Sequence, residues 1–465
     1  MLAAALCAAA LRWALLLDDP WAHGYDGWYY VLQVRSLRSG EALFSDRSLV
    51  FPFLTVLSWL TGDVILGNKL AACLFAAVAA AGGAVCGWRW TGRLSAAVVV
   101  GSWWALSPLH LGVSAEFLKN SAGVAALSLL LAALPRCERH RRRLAAVLFF
   151  VLLGPLVHKL TGLLGILTGL SYAAARLVSG RALPRWLWIV ACIGVLCVLG
   201  VGVLRPEDLQ RFWSSSGGTA TRWSALWSAR LVFSERVELV AVHLAPLALL
   251  VGSWGKAHLR PLGLALLPLS VATLAPGLPF GWDLTAWRLL LVGFLGAGLG
   301  GAVLVSRAGR ASPMLAGLLV LAGLAQAQPV VEAVQKRSPD YASWAEVVPL
   351  LRATIPSGSR VIAHRGLCGF IWAEADILCE NFQPPPPHAG WWRVAYGFGP
   401  RWFAPHLQAG EPPPIEVLPG YTLVWEPHWQ RFCAAEGGEF LLTQDPRNPF
   451  RARPSFVYGP NTNSD

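Results

Sequence analysis

Residues 117–157 read FLKNSAGVAALSLLLAALPRCERHRRRLAAVLFFVLLGPLV: two apolar runs, 117–135 and 144–157, separated by the basic segment RCERHRRR at 136–143. In isolation that segment has the composition of a nucleic-acid patch. Between two apolar runs it reads instead as a turn that anchors topology on the cytoplasmic side of a membrane. The same unit, apolar run and charged turn, repeats along the chain, and no nucleic-acid partner is expected.

Composition agrees. Of 465 residues, 55% are hydrophobic and only 14% charged, against about 45–50% and about 25% in an ordinary soluble domain. A water-soluble globule, a disordered chain and a fibrous repeat are excluded, and a mean hydropathy of +0.50 points to a helical membrane body. Apolar runs fall at 2–17, 66–88, 94–109, 117–135, 144–157, 160–178, 187–204, 237–254, 261–275, 287–305 and 312–328, which predicts about eleven spans.

The charges then sort by side. One set of turns holds Arg89 and Arg93; Arg136, Arg139, Arg141, Arg142 and Arg143; Arg176, Arg181 and Arg185; Lys256 and Arg260; and Arg307 and Arg310, with Glu138 as its acid. The opposite turns hold Asp18, Asp19, Asp26, Glu41, Asp46, Asp63, Glu116, Glu207, Asp208, Glu235, Glu238 and Asp283. The positive-inside rule makes the first set cytoplasmic, places the N-terminus inside, and places everything after 328 outside. This partition accounts for the net charge of +12 without a polyanionic partner. The first run is short, carries Arg12 and lacks a basic flank; a cleaved signal peptide is the rival reading. LLLDDPW offers no small-residue cleavage site, and losing one span would put the arginine-rich turns on the wrong side.

Cys7, Cys73, Cys86, Cys192 and Cys197 lie in spans, where cysteine behaves as a small hydrophobe, and Cys137 is cytoplasmic. Cys368, Cys379 and Cys433 reach an oxidising compartment, which allows one disulfide among them. The 23 tryptophans suit interfacial belts, and those in outer loops could also stack on sugar rings.

Two outer loops are long, 18–65 and 205–236, and long segments on one face are where chemistry is expected. In the first, Tyr30, Val31, Val34 and Leu37 recur at helical spacing between Gly27 and Ser39, Gly40 ends the pattern, and Pro52 to Leu60 forms a second short amphipathic piece. Both helices are expected to lie flat on the membrane. Asp26 falls at the N-cap of the first, where capping alone would explain it.

The short first span, the aspartate among aromatics in His23-Gly24-Tyr25-Asp26-Gly27-Trp28-Tyr29-Tyr30, the helix ending at Gly40 and the Phe51-Pro52 segment resemble the GT-C glycosyltransferases. These polytopic, lipid-phosphate-sugar-dependent enzymes include protein O-mannosyltransferases, aminoarabinose transferases and oligosaccharyltransferase subunits. The resemblance extends over the whole chain at superfamily level. It implies a catalytic carboxylate in the first outer loop, at Asp26, a polyprenyl-phosphate-linked sugar donor, and a glycan, lipid or protein acceptor. An inverting transfer needs a base for the acceptor proton, and a leaving lipid phosphate needs cations at headgroup depth.

Several positions offer those partners. Arg288, in Asp283-Leu284-Thr285-Ala286-Trp287-Arg288, precedes a Gly-rich apolar helix and resembles a phosphate clamp; its bland reading is an interfacial snorkelling arginine. Glu116 opens the fourth span and resembles the family's second acidic position, although a paired Asp-Asp or Asp-Glu is absent. For Glu116 the alternative is interaction with a helix N-terminus, and for Lys119 snorkelling. His158 and Lys159, in the turn His158-Lys159-Leu160-Thr161-Gly162, place a cation near phosphate or merely turn the chain. Tyr29 is a further candidate substrate contact. His23, His110 and His158 share the outer face, where a divalent ion held with Asp26 or Glu116 is conceivable, without ligand spacing inside one helix. Trp213 to Thr219, rich in Ser and Gly, reads as a substrate-gated lid or a flexible linker.

Beyond 328 charges and prolines increase, with Pro384 to Pro387 and Pro412 to Pro414 as stiff connectors. Residues 329–465 are expected to form a small extracytoplasmic α/β domain with helices at Tyr341–Thr354 and Leu367–Cys379 and strands at Arg360–Ala363 and Tyr421–Trp425. His364-Arg365-Gly366 follows a strand, as ligand loops do in α/β proteins, but lacks a carboxylate or nucleophile partner. The domain is read as accessory to acceptor access. The whole is a polytopic α-helical protein of a bacterial-type inner or plasma membrane, divided into 1–328 and 329–465. Two other activities are compatible with the pattern: a polysaccharide polymerase or ligase with a diphosphate-linked donor, and a transporter or flippase. Transporters carry mid-span ionisable residues and internal repeats, whereas here the acids crowd one face.

Overall fold

The structure is a computed structural model. It describes residues 1–178 apart from 18, 25, 41, 42, 45, 136, 138 and 139, then 233–254, 259–272 and 292–335; beyond 335 it describes separated stretches, chiefly 361–363, 365–381 and the strands at 392–396, 421–425 and 455–460. The described chain falls into two compact units: 1–18, 46–61 and 66–334 in one, and 19–45, 62–65 and 335–465 in the other.

The first unit is helical. Its elements are α1 (Leu2–Leu17), α3 (Val50–Thr61), α4 (Val64–Thr91), α5 (Leu94–Leu106), α6 (Pro108–Glu116), α7 (Leu118–Ala133), α8 (Arg141–Val157), α9 (Lys159–Val178), α10 (Phe233–Ser253), α11 (Arg260–Ala272), α12 (Phe294–Arg307) and α13 (Ser312–Gln335), α2 belonging to the second unit. Helix covers all or part of every apolar run except 187–204, which lies outside the described residues; at 287–305 the described helix begins only at Phe294. Four helices are long and apolar enough to cross a membrane, namely α4, α9, α10 and α13 with the turn before it; α5 and α6, bent by 46° at their junction, make a fifth. The other apolar helices are shorter, among them α1, α3, α7 and α12, so the described residues hold fewer full-length spans than the eleven runs suggest.

Small residues let these helices approach closely, as helices in lipid require. A Cβ on Gly298 of α12 would stand 2.7 Å from Trp104 Nε1, and one on Gly263 would stand 2.5 Å from Ser253 Oγ. Leucines 244 and 247 of α10, and 318, 321 and 324 of α13, stay exposed on the outside of the helical unit.

The single run 94–109 is instead two helices. Ser107-Pro108 divides it: the residue before a proline is driven out of the helical region, and Ser107 sits at φ −56°, ψ 122° as the N-cap of α6 with Pro108 in its first turn.

The second unit contains α2 (Gly27–Arg38), a short helix α14 (Arg365–Phe370) continuing as a π-helical turn Ile371–Ala375, and a five-stranded mixed sheet. Its strands, β1 (Val361–Ala363), β2 (Cys379–Asn381), β3 (Trp392–Tyr396), β4 (Tyr421–Trp425) and β5 (Ser455–Pro460), lie in the order β2-β1-β3-β5-β4. β1 is parallel to both neighbours, pairing Ile362 with Glu380 and with Arg393; β5 runs antiparallel to β3 and β4, with an irregularity between Leu423 and Trp425.

The strand expected at Tyr421–Trp425 is present, and that expected at Arg360–Ala363 is present over Val361–Ala363, Arg360 lying outside the described residues. The helix expected over Leu367–Cys379 stops early. Asp376 adopts the left-handed region at φ 58°, which ends the coil, and Cys379 already belongs to β2. A disulfide joins Cys368 to Cys379, with Cα atoms 5.3 Å apart; Cys433 lies outside the described residues.

Candidate active site

Asp26 heads α2, and α2 is mounted on aromatic packing. Trp28 is fully buried and meets Phe370 and Tyr341 edge-on at 5.3 and 5.6 Å between centroids, while Tyr341 Oη donates to the Gly24 carbonyl at 2.9 Å. Gly369 allows this approach: a Cβ there would stand 2.7 Å from Trp28 Cβ. Arg35, one helical face further on, donates to the Ala373 carbonyl at 2.7 Å and pairs with Glu374 at 3.2 Å. The Gln33 amide exchanges both hydrogen bonds with the Phe44 backbone, accepting at 2.8 Å and donating at 3.3 Å, which folds the chain back after Gly40 (φ 89°). Such contacts fix a short helix that in isolation would be marginal.

Asp26 itself is buried, at 7% exposure. It occupies the N-cap position of α2 but makes no side-chain capping bond, its own backbone being helical at φ −88°, ψ −9°. Capping, the bland explanation of this residue, is therefore not what its carboxylate does. Tyr29, half-buried, packs its ring 4.8 Å from Phe44 and 5.5 Å from Tyr30.

The remaining candidates belong to the helical unit. Glu116 does not open a span: it is the last residue of α6, and Phe117 separates it from α7. Lys119, in the first turn of α7, does not simply snorkel. Its ammonium forms an ion pair with Asp46 and stands 5.7 Å from the centre of the Phe51 ring. Asp46 also accepts the Ser48 amide at 3.1 Å, and Ser48 Oγ donates to the Val157 carbonyl at 2.6 Å, so the segment before α3 is tied to the end of α8. Asp46 was counted in the sequence only among outer-face acids; its place beside Lys119 follows from tertiary pairing over 73 residues.

His158 is the sole residue between α8 and α9. Its Nδ1 lies 3.2 Å from Thr161 Oγ1 and accepts the Thr161 amide at 3.4 Å, so the ring serves the start of α9. Gly162 makes the hairpin this tight, because a Cβ there would stand 2.6 Å from Pro155 Cα. Lys159 is exposed beside it. Arg288 and the segment Trp213 to Thr219 lie outside the described residues, as does His364.

His110 is not at an open outer face. It is fully buried, its Nδ1 donates to the Trp104 carbonyl at 2.7 Å, and its ring stacks on Phe294 at 4.7 Å. Among the described residues no group of three or more His, Cys, Asp or Glu is placed to hold a metal ion.

Sequence reasoning missed a pair of charges at the break between α5 and α6. Arg12 of α1 is fully buried; it donates to the Ala105 carbonyl in the last turn of α5 and, at 3.4 Å, to Ser114 Oγ. Glu238 of α10, 3% exposed, accepts the Leu109 amide at the head of α6 at 2.9 Å. The Ser107-Pro108 dipeptide was the available signal.

Apolar helices of membrane-crossing length, with polar groups gathered where a span is broken, define an integral multi-pass membrane protein. No protein-family model matches the chain, and no curated protein matches its sequence. Solved structures do. ArnT from Cupriavidus metallidurans in the apo state superposes with a TM-score of 0.56 at 13% identity, covering 96% of each chain. ArnT bound to undecaprenyl phosphate gives 0.53 at 14% identity, over 98% of this chain and 97% of that one. The arabinofuranosyltransferase AftD from mycobacteria gives 0.53 at 16% identity, over 91% of this chain and 37% of AftD. The fold of this chain is that of ArnT over nearly its whole length and of part of AftD.

Proposed function

We propose that the chain is a glycosyltransferase that moves a sugar from a polyprenyl-phosphate donor to a glycan, lipid or protein acceptor on the extracytoplasmic face, with inversion. The observation that carries this reading is the fold shared over nearly the whole of both chains with ArnT, one structure of which is bound to undecaprenyl phosphate. The state of Asp26 supports a chemical role: a buried carboxylate in the first outer loop, in the capping position yet making no capping bond, on a helix braced by Trp28, Phe370 and Tyr341. It acts as the base that takes the acceptor hydroxyl proton as the anomeric carbon passes from phosphate to acceptor oxygen. The leaving phosphate carries off the bonding electrons and is met by cations, Arg288 first, with Lys119 and Lys159 behind it and Glu116, His158 and Tyr29 shaping the donor site. The membrane body comprises about eleven spans with the N-terminus cytoplasmic, and residues 329–465 form an extracytoplasmic domain.

Arg12 and Glu238 are the kind of intramembrane charges that a transporter uses. Here both are engaged by the ends of two helices, which leaves surface chemistry as the better reading.

The test is Asp26→Asn in full-length protein, assayed with a radiolabelled polyprenyl-phosphate sugar and membrane extract as acceptor. Transfer is expected to fall about 10²–10⁴-fold, the usual contribution of a general base. Wild-type transfer in that variant would remove Asp26 from the mechanism.

A further inference from the structure

A helix broken inside a membrane leaves carbonyls without partners on one side of the break and amides without partners on the other. Both sides of the α5–α6 break are provided for. On the α5 side the Ala105 carbonyl takes the Arg12 guanidinium and the Trp104 carbonyl takes the His110 ring. On the α6 side Pro108 has no N–H to satisfy, the Leu109 amide goes to Glu238, and the His110 amide goes to Ser107 Oγ at 3.0 Å. The signs match the helix dipoles: a cation meets the C-terminal end of α5 and an anion the N-terminal end of α6.

The two charges come from elements remote in sequence, α1 and α10, and both are at least 97% buried, at 0% and 3% exposure. A charged side chain at the centre of a span costs about 2.5–3.5 kcal/mol on insertion scales, and an unbroken helix would need neither. Among the described residues Glu238 Oε1 and Arg12 Nη2 are buried without a hydrogen-bond partner; the other polar contacts of the two side chains, Ser107 and Trp103 for Glu238 and Ser114 for Arg12, lie at or beside the break. What the break aims is α6, whose last residue is Glu116, followed after Phe117 by the turn of α7 that carries Lys119 against Asp46.

We infer that Arg12 and Glu238 are positioning residues at the α5–α6 break, Arg12 tying the end of α5 to Ser114 of α6 and Glu238 holding the start of α6, and that together they set where α6 delivers Glu116 and the Lys119–Asp46 pair. The functional half of this inference rests on the proposed use of those residues at the donor phosphate; the geometric half does not.

The experiment uses full-length protein in lipid nanodiscs carrying Glu116→Cys, with the same protein lacking that cysteine as background. Two readouts are taken: the rate at which a membrane-impermeant maleimide labels position 116, and the affinity for undecaprenyl phosphate. Arg12→Met and Glu238→Gln are each expected to change the labelling rate about fivefold or more. In the Glu116 background the same variants should weaken undecaprenyl phosphate binding about tenfold, or roughly 1.4 kcal/mol. Arg12→Lys, which keeps the charge, should restore both to within about twofold, a rescue that loss of packing alone would not give. Parental labelling and affinity in both Arg12→Met and Glu238→Gln would overturn the inference. Should Arg12→Met fail to fold, Glu238→Gln, which keeps the size of the side chain, decides alone by the same criteria. Failure of the parent to bind undecaprenyl phosphate would count against the proposed function, while the labelling rates would still judge the pair.

Discussion

At the head of α6 every early amide has an owner, Leu109 with Glu238 and His110 with Ser107, whereas at the head of α2 the residue in the capping position, Asp26, makes no capping bond. The contrast is between a helix start whose amides are capped by side chains and one whose capping-position side chain makes no cap bond. In α6 the capping carboxylate is brought from a helix 129 residues away. In α2 a carboxylate is already present at the right place in the sequence and is not spent on the helix. The start of α2 is instead stabilised from the side, by Trp28 against Phe370 and by Tyr341 against the Gly24 carbonyl.

This comparison can be broken at three points beyond the transfer assay. The largest effect on stability is expected from Glu238→Ala, which strands the Leu109 amide and removes the acid at the break. About 1–3 kcal/mol should be lost, the usual cost of one buried unsatisfied group, read from denaturant or thermal unfolding in detergent. Ser107→Ala removes the cap oxygen on the His110 amide and a hydroxyl that also hydrogen-bonds Glu238, and should cost about 1 kcal/mol by the same measurement. The smallest effect is expected from Asp26→Asn, below about 0.5 kcal/mol, because asparagine and aspartate are equivalent at an N-cap and no cap bond exists to be lost. If Asp26 were merely a cap, that variant would also retain full transfer. A result in which Asp26→Asn unfolds the protein while Glu238→Ala is silent would reverse the assignment of the two carboxylates.

How much of this was legible in the sequence depends on distance along the chain. Hydrophobic runs and the arginine-rich turns carried the helical membrane body, because apolarity over about 20 residues is a local property. α2 was readable from Tyr30, Val31, Val34 and Leu37 with Gly40 as its stop, and the helix ends at Arg38 before that glycine. β4 was readable from its β-branched and aromatic residues, but β2, β3 and β5 were not, since three- to six-residue strands depend on neighbours to form. The candidate site was less legible. Asp26 stood out by its aromatic company; the pairing of Lys119 with Asp46, and of Leu109 with Glu238, is set by tertiary packing that no spacing encodes. The break at Ser107-Pro108 is visible in principle, as a cap residue followed by proline, but it is masked by a run 94–109 that is uncharged and largely apolar.

The hydrogen bond from Tyr341 to the Gly24 carbonyl spans 317 positions. During synthesis at about 5–20 residues per second, the helix bearing Asp26 therefore emerges on the order of 15–60 s before the aromatic ledge it leans on exists. The nascent chain spends that interval with α2 unbraced, so the packing around Asp26 is completed late in translation. Truncations that spare every membrane helix would then yield well-inserted but inert protein.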